Sequence, residues 1–443
     1  MKSSFSLMFI IFLLMTSLIT ACGSNSSLTN TVPTSSPADA TDKAQSNLLD
    51  KPVTITILNG GGNDVDAMMA SYGNALKEKF PNVTFNIKGT SKELPLDKMI
   101  LSGEKFDIFI RSIGFFFDEV PKNGFQYDMT NLIKSHSVDL NRIEPTLVDS
   151  MKNNSNGQMW GIPFTNSTLV LYYNKEVFDN FGIPYPKDGM TWDDIFDISK
   201  NFNKTKDGAD YVGLAVSTRH MLKLNNFSMP YVDSKTNQTT FDNEKWKSVF
   251  KIFSVPAQDP GYQAFMVKKG NKLADAQDFY DGKAAMLETL VGHSGNKNFL
   301  RPEFKWDMVS SPTYKENPGI GAQSYPEYLS IPSFAEHKEE AMEIIKYLIS
   351  NEFQTMLSKK GVMTVLSNKD IQKVYGEIEN KGKNVGAPFF NKFAPIMSKS
   401  FFDRDVENPP VARINDIAMG KIDINTALRQ AKEEADKLIA EKK

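Results

Sequence analysis

The sequence predicts an α/β fold, and three observations predict it. Short β-branched apolar runs alternate with helical stretches, glycine and asparagine turns close several of the runs, and an apolar content of 40% suits a packed core. Val53-Thr54-Ile55-Thr56-Ile57-Leu58 reads as the first strand and ends at Asn59-Gly60-Gly61-Gly62. A helical stretch from Asp64 to Phe80 follows, then a strand from Val83 to Ile87, a helix from Leu94 to Leu101 and a strand from Phe106 to Ile110. Strands separated by helices need crossover connections, which make a parallel sheet covered on both faces. Ligands of such sheets bind beyond the carboxyl ends of the strands, where loops converge.

Later elements carry their own start signals. Thr191-Trp192-Asp193-Asp194 opens a helix that runs to about Asn203, with Thr191 capping the Asp194 N–H. Ser333-Phe334-Ala335-Glu336 reads as a capping box, and Ala341, Ile344, Ile345 and Leu348 behind it form a buried stripe. Leu428, Ala431, Ala435, Leu438 and Ile439 share one face of the final helix. At 443 residues the chain has room for two or three domains.

Composition excludes several classes. The formal net charge of −2 gives no basic surface for nucleic acid. One Cys among 443 residues makes neither an internal disulfide nor a Cys-rich zinc site. His136, His220, His293 and His337 are isolated and read as surface or supporting residues, with no metal-ligand spacing. No Gly-x-Ser-x-Gly or His-Glu-x-x-His occurs, and Gly319-Ile320-Gly321-Ala322-Gln323-Ser324 breaks the dinucleotide pattern at its last position. No cofactor is expected.

The N-terminus reads as an address. Lys2 precedes an apolar run from Leu7 to Met15, and Leu18-Ile19-Thr20-Ala21-Cys22 resembles the bacterial lipobox, where the chain is cut before a lipidated Cys. Residues 1–21 are then a signal peptide. The stretch 22–50, rich in Ser, Thr, Asn, Ala and Pro, is a flexible tether to a lipid on Cys22. Two acyl chains on one residue suffice for stable anchoring.

From residue 51 onward an ordered set of motifs appears. Gln158-Met159-Trp160-Gly161-Ile162-Pro163-Phe164 leads to Leu169-Val170-Leu171-Tyr172-Tyr173-Asn174-Lys175, then Phe181-Gly182-Ile183-Pro184 and Thr191-Trp192-Asp193-Asp194. Phe279-Tyr280-Asp281-Gly282-Lys283-Ala284-Ala285-Met286, the Lys338 to Leu348 helix, and Ala418-Met419-Gly420-Lys421 with Thr426-Ala427-Leu428 complete the set. Together they resemble the extracellular solute-binding proteins of the maltose-binding type, receptors of bacterial ABC importers. The resemblance implies a two-lobed periplasmic-binding-protein-like (type II) fold with a hinge and an interlobe cleft. It implies lobe one over 51–166 with 307–349 and lobe two over 167–306 with 350–443. The strand from Phe164 to Tyr173 resembles the first crossing, and Phe304 to Val309 the second. Tyr172 and Tyr173 belong to the strand motif, where core packing is the plainer reading than iron binding.

The resemblance further implies a monomeric, non-enzymatic receptor on the outer face of the cell membrane. It would bind a sugar, an oligosaccharide or glycoside, and deliver it to ABC permease subunits. Another polar solute, a peptide or glycerol phosphate, is the alternative; a secreted glycan hydrolase, which needs two facing carboxylates, is a remote one. A structural surface lipoprotein would show no ligand-dependent stabilisation. Strand-end loops supply the site candidates. After the first strand these are Asn59, Asn63 and Asp64, and after Ile110 they are Arg111 and Ser112. Phe115, Phe116, Trp160 and Tyr325 offer platforms for sugar rings. Thr165 and Asn166 lie near the first crossing, and Gln323 and Ser324 precede Tyr325. Ser217, Arg219 and Glu288 follow later strands. Arg111 and Arg219 would donate to hydroxyl pairs, with Asp64 and Glu288 accepting.

Overall fold

A computed structural model describes residues 48–62, 64–292, 297–299 and 301–442. Cys22, Asn63 and His293 lie outside the described residues, as do the expected signal peptide and the expected tether up to residue 47. Residues 48–50 are a short 3-10 helix whose Leu49 is buried in the first core, so the folded part starts before residue 51. The first sheet uses β1 (Val53–Asn59), β2 (Val83–Gly89), β3 (Ile108–Ser112), β4 (Ile162–Thr165) and β11 (Glu327–Ser330), in the order β2-β1-β3-β11-β4. The second uses β5 (Leu169–Asn174), β6 (Lys204–Lys206), β7 (Ala209–Val216), β8 (Ala284–Leu290) and β9 (Trp306–Ser310), in the order β6-β7-β8-β5-β9. A separate parallel pair joins β10 (Ile320–Gln323) to β12 (Lys392–Ala394).

Neither sheet is all-parallel. β1 runs parallel to β2 and β3, but β11 enters antiparallel to both β3 and β4. In the second sheet β7 and β8 are parallel, while β5 is antiparallel to β8 and β9. The βαβ expectation holds for β1, β2 and β3 and again for β7 and β8, which helices also connect, whereas β11 and β5 run against their neighbours.

Each sheet has its own core. Ile55, Ile57, Phe109 and Ile110 pack with Leu147, Ile344 and Ile345 in the first, and Val170, Leu171, Met286 and Leu287 pack in the cluster that holds Trp246 and Phe250 in the second. β5 is buried at all six residues because it lies between β8 and β9, and its continuous apolar run is the signature of a strand covered on both faces. Each fully buried Leu, Val or Met there contributes about 1.5–3 kcal/mol. The helix Trp192–Ser199 lies so close to β7 that a Cβ on Gly213 would stand 2.2 Å from the Ser199 carbonyl oxygen, so only glycine fits.

Thr191 caps the Asp194 N–H as expected, and Asp194 answers it to complete a capping box, although that helix stops at Ser199 rather than near Asn203. The Ser333 box does not form. The Ser333 hydroxyl donates to the Gly124 carbonyl at 2.8 Å and its N–H donates to Phe125 O at 3.1 Å, which ties the segment to a neighbouring loop. The helix starts at Lys338 instead, and its Ala341, Ile344, Ile345 and Leu348 stripe is fully buried. The segment read as one strand from Phe164 to Tyr173 is two, β4 and β5, one in each sheet.

Sheet and core membership also depart from the expected division at two places. β9 pairs with β5 in the second sheet, so residues 306–310 do not cross; the chain returns to the first sheet only at β11. Phe353, Leu357, Val365, Leu366 and Ile371 belong to the first core, with Met363 among them in the second, and Tyr375 is the first second-core residue beyond Ile371. The two earlier crossings lie side by side. Asn166 Nδ2 donates to Ser324 Oγ at 3.1 Å, Tyr325 N to Ser167 O at 2.7 Å and Thr168 Oγ1 to Gln323 O at 3.1 Å.

Candidate functional site

Contacts between the two regions gather around Tyr325 and the helix Ile113–Lys122. Tyr325 follows a crossing and packs partly on both cores. Its ring meets His220 edge-on, with centroids 6.2 Å apart. Its hydroxyl lies so near Gly114 that a Cβ there would stand 2.2 Å away, so Gly114 lets the tyrosine bridge the gap.

On the first region, β3 ends where the helix Ile113–Lys122 begins, and this junction presents a charge pair. Arg111 Nε and Nη2 each donate to the Glu119 carboxylate at 2.6 Å, a two-pronged pairing that fixes both groups. Nη1 of Arg111 also donates to the Gly60 carbonyl. Phe115, one helical turn on, lies under the Arg111 guanidinium at 4.1 Å. Glu327 sits beneath, where burial pushes its carboxyl up against the lowering influence of the Thr165 hydrogen bond and Arg111.

On the second region, the helices Thr218–Lys223 and Asn408–Ala418 converge with the irregular stretch 395–407. Arg219 and Lys223 both reach the Glu407 carboxylate, each at 2.9 Å. Burial would raise Glu407, but the two cations hold it below the usual glutamate range. Lys399 lies 3.7 Å from Asp403; burial lowers the lysine and pushes Asp403 up to about 6. Asp403 Oδ1 and the Tyr231 hydroxyl are buried with no hydrogen-bond partner.

Among the expected residues, Arg111 and Phe115 meet on the first region, Tyr325 reaches His220 on the second, Arg219 pairs with Glu407, and Ser217 Oγ lies 2.7 Å from His220 Nδ1. Ser112 ends β3 beside them, and Trp160 packs on the first core with its Nε1 bound to Gln158. Other candidates are spent on the scaffold. Asp64 caps a helix by accepting from Ala67 N, and the Asn59 side chain accepts from Gly61 N. Thr165 donates to Glu327. Asn166 and Ser324 bond each other, while Gln323 bonds Asn225 O and Met397 N, all three buried in or beside the crossings. Glu288 is fully buried within the second sheet, and Phe116 is buried against Tyr328. Sequence reasoning missed Asp118, Glu119, Lys223, Lys399, Asp403, Arg404 and Glu407. The signal was present in Lys399-Ser400-Phe401-Phe402-Asp403-Arg404, where charges interleave with aromatics in a stretch with no helix or strand period.

Residues 115–376 match the family described as bacterial extracellular solute-binding protein. The chain belongs to that family. The multiple sugar-binding protein of Streptococcus mutans is 24% identical to this solute-binding protein, over 64% of this chain and 71% of its own. The sn-glycerol-3-phosphate-binding periplasmic protein of Escherichia coli is 28% identical over 41% of this chain and 39% of its own length. An ABC substrate-binding protein of Listeria monocytogenes, solved in complex with cycloalternan, shares the fold with a TM-score of 0.68 at 17% identity, covering 88% of this chain and 100% of that one. Among the described residues of this solute-binding protein, no group of three or more His, Cys, Asp or Glu could hold a metal ion, and no helix is long and apolar enough to cross a membrane.

Proposed function

We propose that this solute-binding protein captures a sugar, an oligosaccharide or glycoside, between two lobes that close about a hinge, and delivers it to an ABC permease. The observation that carries the sugar reading is the charge pairing at the interface. Arg111, Arg219, Lys223, Lys399 and Arg404 each have a carboxylate of Asp118, Glu119, Asp403 or Glu407 within ion-pair distance. A phosphate or other anion needs cations that are not already neutralised. A neutral polyol instead needs paired donors and acceptors held in place beside aromatic faces, and Phe115 and Tyr325 stand beside them.

The hinge is the pair of crossings at 166–168 and 323–325, which the Asn166–Ser324 and Tyr325–Ser167 bonds hold in register. On this reading lobe one keeps 51–166 and takes β11 through Ile371, and lobe two takes β5 through β10 and the chain from Tyr375. The motif ending at Cys22 supports lipid anchoring on the extracellular face; a Cys22→Ser protein that stays in the membrane with the normal mature mass counts against it.

A thermal-shift screen tests the ligand class. Mannotriose, maltotriose, sn-glycerol 3-phosphate and a tripeptide are compared at 1 mM. A ligand at a hundred times its Kd adds about 2.7 kcal/mol of stability, which reads as several degrees. A shift with a sugar alone is the expected result. A shift with sn-glycerol 3-phosphate or the tripeptide and none with sugars overturns the reading.

A further inference from the structure

Phe115 is suited to stack against a ligand ring, yet two guanidiniums already stand over it. Arg111, from its own lobe, lies 4.1 Å from the ring centroid, and Arg404, from the opposite lobe, lies 5.0 Å from it. Arg404 belongs to a stretch that Phe402 and Val406 root in the second core. Its Nη1 reaches Asp118 Oδ2 at 2.8 Å and Glu119 Oε1 at 3.7 Å, both on the helix that carries Phe115. The same stretch makes a second cross-lobe bond, from Lys399 N to Asn154 Oδ1 at 2.6 Å. Ile396, at its start, packs against the first core.

We propose that the stretch 396–404 is a clasp: Arg404 occupies the Phe115 face in place of a ligand and holds the unliganded lobes together. This deepens the two-lobe reading and rests on it. A guanidinium over a phenyl ring competes directly with anything else that would stack there, so ligand entry requires Arg404 to swing away. Because the Arg404 side chain is 45% exposed, the ion pair with Asp118 is screened and modest. Ring contact and ion pair together are weak enough to release and strong enough to bias the lobes. The clasp therefore sets how much of the free protein is closed, and breaking it shifts that population roughly tenfold towards open.

Small-angle scattering of the unliganded full chain tests this, with Arg404→Gln and Phe115→Leu beside the unaltered protein at 20 mM and 500 mM salt. Circular dichroism confirms that each variant is folded. The expected result is a larger radius of gyration in both variants than in the unaltered protein at low salt. High salt should move the unaltered protein the same way and leave Arg404→Gln where it is. Equal radii in all three proteins, with a contraction when the screened sugar is added, overturn the clasp and leave hinge closure standing. Equal radii with no contraction under any sugar overturn both.

Discussion

His136 and Glu288 are shut away from solvent in the first and second regions respectively, and their surroundings treat them in opposite ways. His136 follows the helix Thr130–Ser135, and both of its ring nitrogens face carboxylates on the helix Lys338–Leu348. Nδ1 lies 2.6 Å from Glu343 Oε1 and Nε2 lies 2.6 Å from Glu339 Oε2. Two acceptors at two nitrogens require both to carry hydrogen, which is the imidazolium. Burial pulls the group down, but the bonds and charges of Glu343 and Glu339 raise it above 6.5 in balance. Glu288 accepts one bond, from the Ser311 hydroxyl, and its Oε2 has no partner. Burial pushes it up to about 8, with Ser311 pulling the other way. The partners, and not the burial, decide whether a buried titratable group supports the fold or opposes it.

Both groups hold a proton more tightly folded than unfolded, so their pH dependence has one sign. The His136 contribution is full below about 6.5 and is lost as pH rises through its raised pKa. Glu288 favours the fold fully below about 4.5, and stability then falls as pH rises to about 8, because the unfolded chain gives up the proton first. The contrast emerges when each is made permanently neutral. The largest effect is expected from His136→Gln, which leaves two carboxylates facing an uncharged amide and costs about 2–3 kcal/mol at pH 5.5, less at pH 9. Urea melts at the two pH values check it; a cost that grows with pH breaks the assignment of imidazolium.

Glu288→Gln keeps the shape of the protonated acid and should raise stability at pH 8, with no gain at pH 4.5. A variant less stable than the parent at pH 8 means that the carboxylate is held charged by something other than Ser311. The smallest effect is expected from Glu339→Gln. That side chain is 56% exposed, so its share of the pairing is screened and worth under about 1 kcal/mol, while the pKa of His136 falls measurably by NMR titration. An unchanged His136 pKa leaves Glu343 as the partner that matters.

The sequence was most legible where a local signal and a buried pattern agreed. Thr191 with Asp194, the Ala341 to Leu348 stripe and the opening strands of the first sheet all follow from spacing within a dozen residues. It was least legible where chain passes between sheets. Nothing local to Trp306–Ser310 says which sheet it joins, because both faces of either sheet would accept the same apolar residues. Ser333 and Glu336 had the right spacing for a cap, but their tertiary partners Gly124 and Lys105 lie over 200 positions away. The candidate site divided on the same line. Arg111 near the end of β3, with Phe115 and Tyr325 just past strand ends, stood among the expected residues, whereas Arg404 sits in an irregular stretch with no period to mark it.

The placement of β11 between β3 and β4 also governs when the molecule can become whole. β3 pairs on one side with β1 and on the other with a strand whose Leu329 meets Ile110. Emerging N-terminus first, β1, β2 and β3 have an unsatisfied edge until more than 200 further residues have appeared. Pairing at such separation is slow, because the intervening chain must be closed into a loop before the contact rewards it. A chain that cannot finish its first sheet until its last third arrives stays incompletely folded for most of its synthesis.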